Sequence, residues 1–363
     1  MKKFAFLVHL RDNYRKDLGE LASPLGLVPD PVYRFLLKNR PLKPFVWSNV
    51  TLTPGAKEPE GFVIMLPYSG RQLLEQQKLM LPLVMRGMEL AKQKGAEIMG
   101  LGALTSPITL GGKLVANNPF VSVTNGNAFT AVITHERIKQ LIGSCPNKRP
   151  VVALVGATGS VGTLVSLLLA KHNAGNNYLL VARNENRLKA LANKMNAFEN
   201  DSTVSISQNI DSIKSADIVV LLTTAADCLL KANQLKRNAI VLDDTQPRNT
   251  HPDLLVQRPD IRIIDGGLVS VTHLNCTRGG IGLPQGLSYA CMAETMLLAM
   301  ADYEGDFSIG NPGTEQAEFI STIAAQFGDL GFCVAPDHSF GQPVRNPLNL
   351  DALRQTFEIV TDK

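Results

Sequence analysis

Between residues 151 and 264, short apolar runs alternate with stretches that carry helical spacing. The runs 151–155, 178–182, 218–223, 239–242 and 261–264 are rich in Val, Ile and Leu and read as strands buried on both faces. Residues 159–172 and 185–195 read as helices, and 204–206 as a weaker strand. This alternation predicts a parallel sheet covered by helices on both sides. Upstream, residues 4–10 and 61–67 read as strands, and 72–94 as one long helix ended by Gly95. Residues 97–101 read as a strand and 104–108 as a loop; 121–133 has a polar Gly-Asn centre that passes into a helical run. Downstream come helices over 287–303 and 314–330, then a Pro- and Asn-rich tail that wraps the surface. The segment Cys-Pro-Asn-Lys-Arg-Pro at 145–150 is a Pro-flanked linker. It sets domains at 1–145, 146–280 and 281–363. The expected fold is α/β with two domains: a doubly wound parallel sheet of Rossmann type, and an N-terminal α/β domain completed by the C-terminal helices.

Composition narrows the class. The chain has 363 residues, 45% hydrophobic and 19% charged, enough apolar content for a sizeable core. No apolar stretch approaches the roughly 18 residues a membrane span needs. The apolar residues 4–7 after Lys2 and Lys3 resemble the start of an export signal, but His9, Arg11 and Asp12 end the run. Five dispersed cysteines form no C-x-x-C pair and no zinc-spaced cluster with His, so no metal site is expected and a reducing, cytoplasmic setting is. The net charge of +4 is uneven. Residues 1–50 hold nine Lys and Arg against four acids. That basic stretch is either a solvated face or a surface for an acidic partner or an anionic membrane. Nucleic acid is not expected, because no basic helix of the needed density and no aromatic RNA-binding signature is present.

The most informative string is Val151-Val-Ala-Leu-Val-Gly156-Ala157-Thr158-Gly159-Ser160-Val161-Gly162. An apolar strand runs into a Gly-x-x-Gly-x-x-Gly turn and then an apolar helix. The three glycines allow a tight turn, close approach of backbone to a pyrophosphate, and close helix–strand packing. The helix N-terminus offers unpaired N–H groups to the phosphate. The second strand ends at Arg183-Asn184-Glu185-Asn186-Arg187. Arg183 stands where an NAD enzyme carries the acid that holds the ribose. Arg183 and Arg187 suit a 2′-phosphate, so NADP(H) is the expected cofactor, with Glu185 the one feature that speaks for NAD. Thr223 and Thr224 end the fourth strand, either as cofactor contacts or as turn residues.

Cys291 falls near the start of the helix after Leu283-Pro-Gln-Gly. A helix N-terminus favours the thiolate and can lower a thiol pKa from about 8.5 to below neutrality. Cys291 is therefore either a nucleophile or a small core residue.

Taken together, the chain resembles the cyanobacterial-type long-chain acyl-[acyl-carrier-protein] reductases over most of its length. The matching strings are Gly100-Leu-Gly-Ala-Leu-Thr-Ser106, Thr124-Asn-Gly-Asn127-Ala-Phe-Thr-Ala131, the glycine turn, Ala182-Arg-Asn-Glu-Asn-Arg-Leu188, Asp265-Gly-Gly267, Ala290-Cys291-Met-Ala-Glu294-Thr-Met-Leu-Leu298 and Phe307-Ser-Ile-Gly310. The resemblance implies NADPH-dependent reduction of a fatty acyl thioester to an aldehyde, with Cys291 as the nucleophile and an acyl pocket formed by the N-terminal domain and the C-terminal helices. Acyl carrier protein or acyl-coenzyme A would bring the acyl group, and a partner enzyme could accept the aldehyde. Asn127 or Ser106 either orients the carbonyl or is a turn residue; Glu294 is either an acid/base group or a structural or surface carboxylate. Arg34, Lys38, Arg40 and Lys43 form the basic stretch that would meet the carrier or touch a membrane peripherally.

The chain also departs from the family pattern. Phe129 replaces a His, and Asp243-Asp244-Thr245-Gln246-Pro247 replaces Asp-Gly-Gly-Tyr-Pro. These loops are expected to face the site. The rival reading is a non-covalent NADP-dependent oxidoreductase of shikimate/quinate dehydrogenase type, which would be indifferent to Cys291→Ser. A cofactor-sensing regulator without turnover is a third.

Overall fold

The computed structural model describes residues 1–11, 13–39, 42–198, 201–223, 230–277 and 282–344. Two compact units emerge. The first is Met1–Ile133 with Leu268–Cys333; the second is 134–267 with the described residues 334–344. The breaks thus fall inside a helix at 133/134 and after Gly267, rather than at the 145–150 linker and at 280.

In the first unit, β1 (Lys3–Leu10), α1 (Tyr14–Leu21), α2 (Asp30–Asn39), β2 (Phe45–Thr51), β3 (Gly61–Ser69), α3 (Gly70–Glu75), α4 (Gln77–Gln93), β4 (Ala96–Leu101), α5 (Thr105–Ile108) and β5 (Ser122–Thr124) precede α6 (Asn127–Ser144). The strands order β2-β3-β1-β4-β5, parallel from β3 to β5, with β2 antiparallel on β3. All nine residues of β3 are buried, as a central strand covered on both faces requires. The expected single helix over 72–94 is two helices. Ser69 and Gln72 form a reciprocal capping box that starts α3, and the chain leaves helical geometry at Gln76 before α4 begins.

The second unit carries β6 (Val151–Val155), α7 (Ser160–His172), β7 (Asn177–Val181), α8 (Glu185–Asn196), β8 (Thr203–Ser207), β9 (Ile218–Leu221), β10 (Ile240–Asp243), α9 (Asp253–Gln257) and β11 (Arg262–Asp265). All five neighbouring pairs are parallel, in the order β8-β7-β6-β9-β10-β11. Numbered within the unit, this is 3-2-1-4-5-6, two mononucleotide-binding halves meeting at β6/β9. The α/β class and the Rossmann-type sheet are as the alternating pattern predicts. The core here is built from Ala153, Val155, Val219, Leu221, Val241 and Ile263 with their helix and loop partners.

The chain then returns to the first unit as β12 (Leu268–Val271), β13 (Asn275–Cys276), β14 (Leu287–Tyr289), α10 (Ala290–Met300) and α11 (Thr314–Gln326). β13 extends the first sheet on β2. Residues 287–289 are strand rather than helix, so the helix expected over 287–303 starts at Ala290, as α10, and Cys291 lies in its first turn. Among the described residues no helix is long and apolar enough to cross a membrane.

Candidate active site

In the second unit, β6 delivers the chain to Gly156, whose φ of +89° only glycine adopts at low cost. Its N–H donates to the Val181 carbonyl (2.8 Å), and Gly159 N–H donates back to Gly156 (2.9 Å), closing the turn. A Cβ on Gly156 would lie 2.8 Å from the Leu222 backbone, and one on Gly162 would lie 2.4 Å from the Gly156 carbonyl. The loop therefore tolerates no side chain at either position. Gly159 precedes α7, and no side chain caps that helix. Backbone packed this tightly against the ends of β6 and β9, beside an uncapped helix start, fits the pyrophosphate of a dinucleotide.

Around it stand the expected contacts. Ala157 is buried; Thr158, Ser160 and Val161 are half-buried. The Arg187 guanidinium donates to the Thr158 carbonyl, which lays it on the glycine turn. Asn184 caps α8 by accepting from Arg187 N–H (3.0 Å). Arg183 is exposed, and Glu185 pairs with Lys189 at 2.7 Å, one turn along its own helix. Thr223 is half-buried beyond the end of β9. Thr224 and Arg40 lie outside the described residues, as do the side chains of Arg34 and Lys38.

In the first unit, the strings quoted for the resemblance converge on Cys291. Every residue of 290–299 is buried except Cys291, which is half-buried. A Cβ added to Gly126 would fall 2.2 Å from Cys291 Cβ and 2.5 Å from its Cα, so the 124–127 loop lies directly on the cysteine. Gly126 has φ +78°. The loop is held from three sides. The Thr124 hydroxyl and the N–H groups of Gly126, Ala128 and Phe129 (the last at 2.7 Å) donate to the Glu294 carboxylate. Asn125 donates to the carbonyls of Gly111 (3.1 Å) and Gly310 (3.0 Å), and its Oδ1 accepts from Asn127 N–H (3.0 Å). The Asn125 N–H donates to Ser308 (2.9 Å).

Glu294 is fully buried, and burial pushes its pKa up to about 7 against the pull of those donors. It is an interior carboxylate that accepts from the start of α6, not a surface group. Ser106 is buried in α5, where its carbonyl closes the turn to Gly111 (2.8 Å) that Asn125 grips. Asn127 opens α6 and is half-buried. The sequence reading missed Thr124, Asn125 and Gly126 as the residues through which this loop works, although it quoted the string that contains them. Two departures do not face a site as expected. Phe129 is a core residue, 1% exposed, and Thr245 is buried, donating to Asp243 Oδ1 (2.5 Å). Of the other thiols, burial raises Cys276 to about 11, which makes it inert.

Gly126→Ala would force a side chain into a left-handed position and onto Cys291. The expected cost is about 2–4 kcal/mol of stability, read by denaturant titration. The displaced loop should also speed alkylation of Cys291 by iodoacetamide.

Comparison with known proteins agrees with this division. Residues 151–261 match the family model of the semialdehyde dehydrogenase NAD-binding domain. The chain is 27% identical over 354 residues to Aminotransferase PigE of a Serratia species, covering 94% of this chain but 41% of that protein. It is 25% identical over 241 residues to the long-chain acyl-[acyl-carrier-protein] reductase of Synechococcus elongatus, covering 62% and 68%. A solved shikimate 5-dehydrogenase from Listeria monocytogenes aligns with 73% of this chain and 86% of that one, at TM-score 0.33 and 10% identity. Residues 151–261 are thus similar to an NAD(P)-binding domain, and the chain spans less than half the length of the Serratia relative.

Proposed function

We propose that the chain reduces an acyl thioester to an aldehyde through a cysteinyl acyl-enzyme. The observation that carries this reading is the setting of Cys291: the one residue of a buried ten-residue stretch that reaches solvent, in the first turn of α10, under a loop anchored by Glu294 and Asn125. The thiolate attacks the thioester carbonyl and expels the carrier thiolate, which takes up a proton. NADPH, when bound, supplies hydride to the acyl carbon. The oxyanion then re-forms the carbonyl, the C–S bond breaks, and aldehyde leaves with the thiolate restored. Backbone N–H groups near Cys291 are the natural donors to the oxyanion. The resemblance and the 25% identity to a long-chain acyl-[acyl-carrier-protein] reductase support a fatty acyl group on a carrier protein or on coenzyme A. The basic 1–50 segment, with Phe35, Leu36, Leu42 and Lys43 exposed, supports an acidic carrier or an anionic membrane surface as its partner. The match to a protein named as an aminotransferase suggests amination as the class of reaction that takes up the aldehyde.

Purified protein given a long-chain acyl thioester and NADPH should release one thiol and one aldehyde per NADPH oxidised. Thiol release without aldehyde, or NADPH-independent hydrolysis alone, would count against the proposal.

NADPH rather than NADH is the proposed donor, because Arg187 is laid on the glycine turn while Glu185 is engaged by Lys189. Each charge-assisted contact to a phosphate contributes about 1.5–3 kcal/mol. The double variant R183A/R187A should therefore weaken NADPH binding by on the order of 10²- to 10⁴-fold and leave NADH within about threefold, as read by fluorescence titration. Equal loss for both nucleotides would refute the assignment.

A further inference from the structure

Asp244 is an acid with no counterpart in the family pattern, and it is placed where the second mononucleotide half of the sheet ends. It directly follows β10, the middle strand of β9-β10-β11, and its N–H donates to the Leu221 carbonyl at the end of β9 (3.1 Å). In a sheet of this order ligands lie outside the carboxyl ends of the strands. The glycine turn after β6 takes the pyrophosphate, so the ends of β9 and β10 fall to the nicotinamide half. The molecule makes room for this carboxyl. A Cβ on Gly267 would fall 2.3 Å from Asp244 Oδ1, and one on Gly266 would fall 2.7 Å from its Cβ. Gly267 has φ +63°. The Thr134 hydroxyl on α6 donates to Oδ2. The residue as a whole is half-buried.

We propose that Asp244 is the charge partner of the nicotinamide: ionised, it selects the oxidised, cationic ring, and protonated, it accepts the neutral reduced ring. The proposal rests on the dinucleotide reading of residues 151–261 and is independent of the thioester chemistry.

The groups around Asp244 put its titration in the working range. Burial raises its pKa, the Thr134 hydroxyl pulls it down and the neighbouring Asp243 raises it, with the net at about 7. Asp243 is itself occupied by Thr245, Thr250 and the Asn249 N–H. Asp265 at the end of β11 is held by Arg248 and by the N–H groups of Phe340 and Gly341. His135, next to Thr134 on α6, is engaged with Asn173 (2.7 Å) and Glu136. Among the described residues, Asp244 is thus the carboxyl here that has the Thr134 hydroxyl as its donor and no cationic side chain paired with it. Hydride donation turns the neutral reduced nicotinamide into a cation beside it. Loss of the Asp244 proton then stabilises the oxidised cofactor, so oxidised-cofactor affinity rises with pH while reduced-cofactor affinity does not.

The test is calorimetric binding of NADP⁺ and NADPH to the full chain from pH 6 to 8.5, without acyl substrate. Both nucleotides carry the 2′-phosphate, so its own titration cancels in the ratio of their Kd values. The ratio Kd(NADP⁺)/Kd(NADPH) should fall about fivefold across this range, corresponding to a shift of about 0.7 pKa unit on binding. Asp244→Asn should flatten it. Thr134→Val, which keeps the carboxyl but removes its donor, should move the midpoint to higher pH. A ratio independent of pH in the native protein, or a slope that survives in D244N, would overturn the proposal. Failure of both nucleotides to bind the native chain would instead overturn the dinucleotide reading, and this assignment with it.

Discussion

Cys291→Ser should abolish thioester reduction, by on the order of 10³-fold or more, while NADPH affinity stays within about twofold of native. A serine hydroxyl is almost wholly protonated near neutrality and lacks the nucleophilicity of a thiolate. The exchange is also nearly isosteric, at a position that tolerates no crowding under Gly126. Structural damage should be slight, so loss of turnover would report chemistry. The glycine turn belongs to the other compact unit, which is why cofactor affinity is expected to persist. The measurements are NADPH oxidation with an acyl thioester and a separate fluorescence titration of NADPH. Retention of a tenth or more of the activity would favour direct hydride transfer without a covalent step.

Glu294→Ala should cost about 3–5 kcal/mol, the largest stability loss expected of any single exchange near the site. The carboxylate is fully buried and accepts from Thr124 and from the N–H groups of Gly126, Ala128 and Phe129. Truncation strands these donors at the start of α6 and leaves a cavity. Glu294→Gln keeps the volume and one acceptor, so its loss should be smaller. The pH dependence has a definite sign. The folded carboxyl titrates about 7, above its ordinary value of 4.5. Between these values the folded state holds a proton that the unfolded state has released. Its contribution to stability is therefore complete below about pH 4.5 and declines as pH rises through 7. Denaturant titrations of native protein and E294Q should differ in slope across that window. An alanine cost below about 1 kcal/mol would mean that Glu294 is not the anchor of the 124–129 loop.

Much of this arrangement was legible in the chain, for physical reasons that can be named. The strands of the second unit are short, β-branched and buried on both faces, so their pattern survives without tertiary knowledge. The glycine turn was readable because close backbone approach admits no substitute at Gly156 or Gly162. The position of Cys291 followed from the Pro-Gln-Gly punctuation before it, although three residues first form β14. The interior place of Glu294 had a signal that went unused: α10 is apolar all round, which marks a helix buried on every side. Ser69-Gly-Arg-Gln72 likewise carried the capping-box signature that starts α3. β2 was hidden because the irregularity between Val46 and Ser48 interrupts its alternation. The departure at Asp244 was legible, but its environment was not. Its surroundings come from Thr134 and Gly266–Gly267, distant in sequence, and only the folded chain brings them together.

The central claim is that Cys291 carries the acyl group, and intact-protein mass tests it most directly. Native protein and C291S would be mixed with a long-chain acyl thioester without NADPH, weighed, and then given NADPH. The account predicts a single acyl adduct on the native chain, absent from C291S, discharged by NADPH with formation of aldehyde. No adduct on native protein that binds NADPH, or an equal adduct on C291S, would contradict it.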